Sequence, residues 1–240
     1  MIAKHSDELM KSTEHSVLYD FDVDSDVLMI NFAGVGIGMG VPYFEFSRML
    51  NDQKVKKIFV RDHAKSWYHA GLHGVGNNID ECVEPLKKLI AESGAKYVIT
   101  MGNSMGAYAA ILYAVLLEAD EALAFAPTTF ANLSLQIRHW DIRKHFTYMR
   151  KSPVQMKKYF NLAKVPGMEK PRVNIFFDTD YRNDRVHAEN LGKRFDNVHL
   201  RRYHGGKHAV IKLIKKSGDL SRILSETISH AHQPKAPISA

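Results

Sequence analysis

Short runs of aliphatic, β-branched and aromatic residues recur along the chain, and stretches of helical periodicity alternate with them. Seven runs read as strands: Val17–Phe21, Val27–Phe32, Lys57–Val60, Tyr97–Thr100, Ala122–Phe125, Val173–Phe177 and Val198–Tyr203. Val27–Phe32 is almost continuously apolar, as strands are when helices cover both faces of a parallel sheet. Between the strands, Asn78–Ser93 sets Ile79, Cys82, Val83, Leu86, Leu89 and Ile90 at helical spacing, and Gly94 marks its end. Ser104–Leu117 is almost wholly small or apolar and predicts a buried central helix. Asp184–Phe195 and His208–Ile228 are further helical patterns. The alternation predicts an α/β fold, a mostly parallel central sheet flanked by helices, in one domain spanning 1–240. Two segments break the rhythm. Residues 127–172 lack a strand and read as two or three short amphipathic helices punctuated by Pro153, Pro166, Gly167 and Pro171, a cap inserted over the sheet. Residues 231–240 are small, polar and proline-containing, the mark of a frayed tail.

Composition narrows the class. With 240 residues, 45% hydrophobic and 25% charged, the chain can bury a full core without staples. Its single cysteine, Cys82, forms no intrachain disulfide and supplies no thiolate zinc site. The first ten residues lack the apolar core of a secretory signal, and Ala107–Leu117 is too short to cross a bilayer. A cytoplasmic protein without a transmembrane segment is expected. The formal charge of +7 is concentrated: residues 138–172 hold ten Lys or Arg against Asp141 and Glu169. Such a run is either a solvated helical face or an attraction for an anionic substrate or membrane surface. Trp140, Phe146, Tyr148, Tyr159 and Phe160 interleave with it, a mixture that also binds single-stranded nucleic acid. It equally describes an ordinary amphipathic cap, so no nucleic-acid partner is expected.

The sharpest feature is Gly102-Asn103-Ser104-Met105-Gly106, a Gly-x-Ser-x-Gly run with a strand before it and an apolar helix after it. A turn tight enough to hold a serine at its tip, above a helix N-terminus, leaves no room for side chains two residues either side. A glycine-rich turn that merely packs closely or holds a phosphate has similar needs. With its context the motif resembles the α/β-hydrolase superfamily, over roughly Val27 to Ile214. The resemblance implies Ser104 as nucleophile in a nucleophile elbow, followed in chain order by an acid and a histidine. Asp180, about three residues beyond the sixth strand, matches the acid of the catalytic triad. Asp184 is the alternative, better placed to cap the next helix, and Asp178 lies at the strand end. His208 matches the histidine that closes a glycine-containing loop and opens the final helix, with His204 as the fallback. The oxyanion hole would take the N–H groups of Met105 and of Val35, in the loop after Val27–Phe32. Many relatives carry His-Gly at that turn; this chain has Ala33-Gly34.

Other signals are weaker. Gly34, Gly36, Gly38 and Gly40 are not followed by Gly-Lys-Ser/Thr, which argues against a phosphate loop. Trp67 and Tyr68, in a loop on the same sheet edge, either line a substrate pocket with Gly34 or pack the loop down. His63, His69 and His73 fit no common zinc spacing, so neither a metal nor a cofactor is expected. The expected function is a serine hydrolase cleaving an ester or thioester, on a small molecule or an acyl carrier, anionic if the basic cap takes part. The same triad also serves an acyltransferase, and a non-catalytic protein of this fold can bind anions through its cap. Oligomeric state is left open.

Overall fold

A computed structural model describes residues 1–36, 40–143, 146, 149 and 152–232. Eight strands form a single sheet: β1 (Ile2–Lys4), β2 (Val17–Asp20), β3 (Val27–Phe32), β4 (Lys56–Val60), β5 (Tyr97–Asn103), β6 (Glu121–Phe125), β7 (Arg172–Asp178) and β8 (Val198–Tyr203). Their order is β1-β2-β4-β3-β5-β6-β7-β8, and every pairing is parallel except β2 with β4. The register pairs Phe32 with Gly102, Asn103 with Phe125, and Asp178 with Tyr203. The carboxyl ends of β3, β5, β6, β7 and β8 thus finish along one edge, where open α/β sheets bind ligands.

The pleat explains the continuous apolar runs. Along β3, Leu28, Ile30 and Phe32 enter the core on one face, while Val27 and Met29 enter the core on the other. Helix α3 (Ile79–Ser93) and α4 (Met105–Leu116) cover the first face. Helix α4 is buried almost all round, which accounts for its lack of a polar side. Helix α6 (Arg182–Gly192) adds Ala188 and Leu191 to the same core. The second face is covered by α1 (Asp7–Lys11), α2 (Ser47–Leu50), α7 (Val210–Lys216) and α8 (Asp219–Ala231).

The pattern His208–Ile228, read as one helix, is interrupted. Gly218 takes φ 81° and turns the chain between α7 and α8, a conformation that suits glycine. Strand β1, three residues at the sheet edge with no buried position, was too short to show a period. Between β6 and β7, the described residues of 127–172 hold α5 (Leu133–His139) and two single 3₁₀ turns at Lys157–Tyr159 and Leu162–Lys164. Lys144, Tyr148, Arg150 and Lys151 of the basic run fall outside the described residues, as does the tail from 233. No helix among the described residues is long and apolar enough to cross a membrane.

Candidate active site

Ser104 stands between β5 and α4 with φ 54° and ψ −113°, a conformation costing about 1–3 kcal/mol in a non-glycine residue. It is held there by its own N–H, which donates to Phe125 O of β6 at 2.8 Å. The flanking glycines are required by their neighbours. A Cβ on Gly102 would lie 2.2 Å from Gly106 O, and a Cβ on Gly106 would lie 2.1 Å from Phe32 O. The strand, the helix start and the end of β3 therefore touch backbone to backbone around the serine.

His208, in the 3₁₀ turn Lys207–Ala209 before α7, sets Nε2 2.9 Å from Ser104 Oγ. Its Nδ1 lies 2.9 Å from both carboxylate oxygens of Asp184. The structure thus joins Ser104, His208 and Asp184, and it leaves Asp180 out. Helix α6 is preceded by Tyr181, so Asp184 is no cap: it lies within the first turn, fully buried, where the helix dipole favours an anion. Asp180 turns to solvent and meets the exposed His204 at 3.1 Å. Asp178 fastens the two loops together. Burial acts to raise its pKa, but the N–H groups of Asp180, Lys207, Gly206 and Tyr181 hold the carboxyl below its ordinary range.

Behind Asp184 runs a chain of buried ionic contacts with no sign in the sequence spacing. Arg143 Nη1 donates to Asp184 Oδ1 at 3.1 Å, while its Nε and Nη2 grip Asp141 at 2.8 and 2.7 Å. His187 Nε2 lies 2.9 Å from Asp141 Oδ2. The Thr129 N–H donates to His187 Nδ1 at 3.0 Å, so the ring proton sits on Nε2 and points at Asp141. Burial drives the His187 pKa down to about 4. Burial acts to raise Asp141, but the hydrogen bonds from His187 and Arg143 hold it far below the usual carboxylate range. Arg143 and Asp141, members of the basic run, face neither solvent nor a ligand; they point inward, where two buried carboxylates share one cation.

The turn after β3 abuts the serine from the other side. A Cβ on Gly34 would lie 3.0 Å from Asn103 O and 3.1 Å from Glu45 Oε1, and the Gly34 N–H donates to the Glu45 carboxyl. Val35 packs its side chain against the core beside this contact, and Met105 opens α4 with an N–H outside the helical ladder. Trp67 and Tyr68 pack their loop down into the core. They are 1% and 0% exposed. The buried Asp62 carboxylate draws their loop inward by accepting from the N–H groups of Ala64, Ser66 and Tyr68. The Tyr68 hydroxyl then donates to Ala33 O at 2.9 Å, bracing the Gly34 turn from beneath. His69 is buried, with Nδ1 accepting from Met156 N and Nε2 beside the Tyr108 hydroxyl; burial lowers its pKa to about 4. Among the described residues no three His, Cys, Asp or Glu side chains converge as metal ligands would.

The chain matches no protein-family model, and no curated relative matches it in sequence. Its structure is similar to several solved ones. The capsule O-acetyltransferase of Neisseria meningitidis serogroup A, solved in complex with CoA, superposes with a TM-score of 0.64 at 13% identity, over 91% of this chain and 93% of that one. The fluorophosphonate-binding serine hydrolase FphF of Staphylococcus aureus gives 0.54 at 13% identity, over 93% and 89%. The Pyrococcus furiosus esterase Pf2001 gives 0.52 at 15% identity, over 86% and 82%. The chain has the α/β-hydrolase fold.

Two predictions follow from the packing. Gly106→Ala forces backbone against backbone and should cost about 3 kcal/mol or more, read from the urea midpoint; a loss under about 1 kcal/mol would refute the contact. His187 and His69 have folded pKa values of about 4, below the ordinary 6.5. Stability they contribute is complete above pH 6.5 and is lost as pH falls toward 4, about 3 kcal/mol per ring. His187→Gln, which keeps a donor toward Asp141, should remove roughly half of that slope in pH-dependent unfolding.

Proposed function

We propose that the chain is a serine acyl-transfer enzyme that cleaves an ester or thioester through an acyl-enzyme on Ser104. The observation that carries this is the unbroken Ser104–His208–Asp184 hydrogen-bond line at the carboxyl edge of the sheet. In this reading His208 Nε2 takes the hydroxyl proton as Ser104 Oγ attacks the carbonyl carbon. Asp184 accepts from Nδ1–H, which fixes the ring tautomer and stabilises the imidazolium. The N–H groups of Met105 and Val35 hold the oxyanion. Collapse expels the alkoxide or thiolate, which takes the proton from His208 and leaves an acyl ester on Ser104. Water then attacks, giving up its proton to His208, and the carboxylic acid and free serine are released.

A transferase reading replaces that water with an acceptor hydroxyl and needs no other change in the residues. The likeness to a capsule O-acetyltransferase solved with CoA favours keeping it, with an acyl-CoA as donor to be assayed beside simple esters.

The test uses a fluorescent fluorophosphonate with the full chain. Wild type should be labelled, and Ser104→Ala and His208→Ala should not. Asp184→Asn should slow labelling about 10³- to 10⁴-fold, as expected when the imidazole loses its orienting carboxylate. Asp180→Asn should stay within about twofold. Rapid labelling of folded Asp184→Asn, or its loss in Asp180→Asn, would reverse the assignment of the acid; an unlabelled, well-folded wild type would overturn the enzyme reading.

A further inference from the structure

A cavity of about 390 Å³ lies between α2 and α7, and Asn103, the residue before Ser104, forms part of its wall. Phe46, Met49 and Ile211 line it with apolar surface that continues into the core of the second sheet face. Arg48, Lys212 and Lys215 bring three cations to it, all on exposed positions, and none of the three makes an ion pair among the described residues. Lys212 and Lys215 are three apart and share one face of α7. Lys215 is seven residues beyond His208, roughly 10 Å along a helical axis. The Asn103 side-chain oxygen is buried in that wall and accepts no hydrogen bond from a described residue. One carboxyl, Glu45, also lines the cavity. Burial raises its pKa to about 7, so near neutral pH about half of it carries no charge to oppose an anion.

We infer that this cavity seats a phosphate-bearing arm of the substrate: an ester or thioester whose reacting carbonyl lies at Ser104, with an apolar stem along Ile211 and Met49 and a phosphate among Arg48, Lys212 and Lys215. The inference names a substrate class for the acyl-transfer reading and rests on it. Three unpaired cations on an apolar-walled cleft suit a multiply charged anion carried on an arm. Charges arranged only for solubility need no cavity between them.

Phosphopantetheine and pantetheine differ by one phosphate and serve as probes, with inorganic phosphate as the third. Binding to the full chain is measured by calorimetry at low and high salt. Phosphopantetheine should bind at least tenfold more tightly than either of the others. The contrast with pantetheine should shrink as salt is raised, and it should vanish in a Lys212→Glu/Lys215→Glu double variant whose circular dichroism and melting match wild type. Should the double variant unfold, Lys212→Gln and Lys215→Gln singly should each reduce the contrast. Equal affinities for phosphopantetheine and pantetheine, a contrast that survives both lysine changes, or inorganic phosphate binding as tightly as the whole arm would each overturn the proposal. Fluorophosphonate labelling of Ser104 is read separately: lost labelling with the contrast intact sinks the acyl-transfer reading, and labelling without the contrast sinks only the subsite.

Discussion

At Ser104 three stretches of backbone meet with no side chain between them. The end of β3, the end of β5 and the first turn of α4 approach so closely that a single methyl group at Gly102 or Gly106 would overlap main-chain atoms. The unusual serine conformation survives because the surroundings over-determine it, with the Phe125 carbonyl holding the serine N–H and a wholly buried helix behind. The position of the hydroxyl is therefore a property of the sheet rather than of a loop. His208 and Asp184 are then brought to that fixed point by the elements that follow β7 and β8.

The Asp184 carboxylate is maintained by a more elaborate arrangement. A fully buried carboxylate without a counter-charge is expensive, and removing one member of a buried ion pair costs about 3–5 kcal/mol. Asp184 shares Arg143 with Asp141, and Asp141 is in turn satisfied by a neutral His187 whose other nitrogen accepts from backbone. Charges along this line alternate, with Asp184 negative, Arg143 positive and Asp141 negative, and the neutral ring of His187 ends it. Its members come from the insertion and from α6, so the two are locked where they touch.

Much of this was legible in the chain. The limits of β3 and β8 match the runs read from the sequence residue for residue, and α3 is bracketed by the Asn78 side chain, which accepts from Glu81 N–H, and by Gly94 in the left-handed conformation. Ser104 and His208 stood out because their local context, strand before and helix after, is written in neighbouring residues. The carboxylate that reaches His208 did not, because Asp178, Asp180 and Asp184 lie within seven residues and differ only in where a helix begins. Capping preference favoured Asp184 as a cap, whereas Tyr181 precedes the helix and leaves Asp184 free to face His208. Trp67 and Tyr68 were ambiguous for a similar reason: aromatic residues in a polar loop look available until one buried carboxylate, Asp62, gathers the loop's amides. Arg143 lies 41 residues from Asp184 inside a run of cations, and no local pattern separates the one that turns inward from those that do not.

The seating of Arg143 bears on how such a protein can diversify. Residues 127–172 interrupt the strand–helix alternation between β6 and β7. Yet this segment carries the counter-ion of Asp184. Replacing the segment wholesale would strand that carboxylate without its cation, so a replacement that keeps the fold must keep Asp141 and Arg143. The segment and the carboxylate it neutralises are in this way kept or lost together.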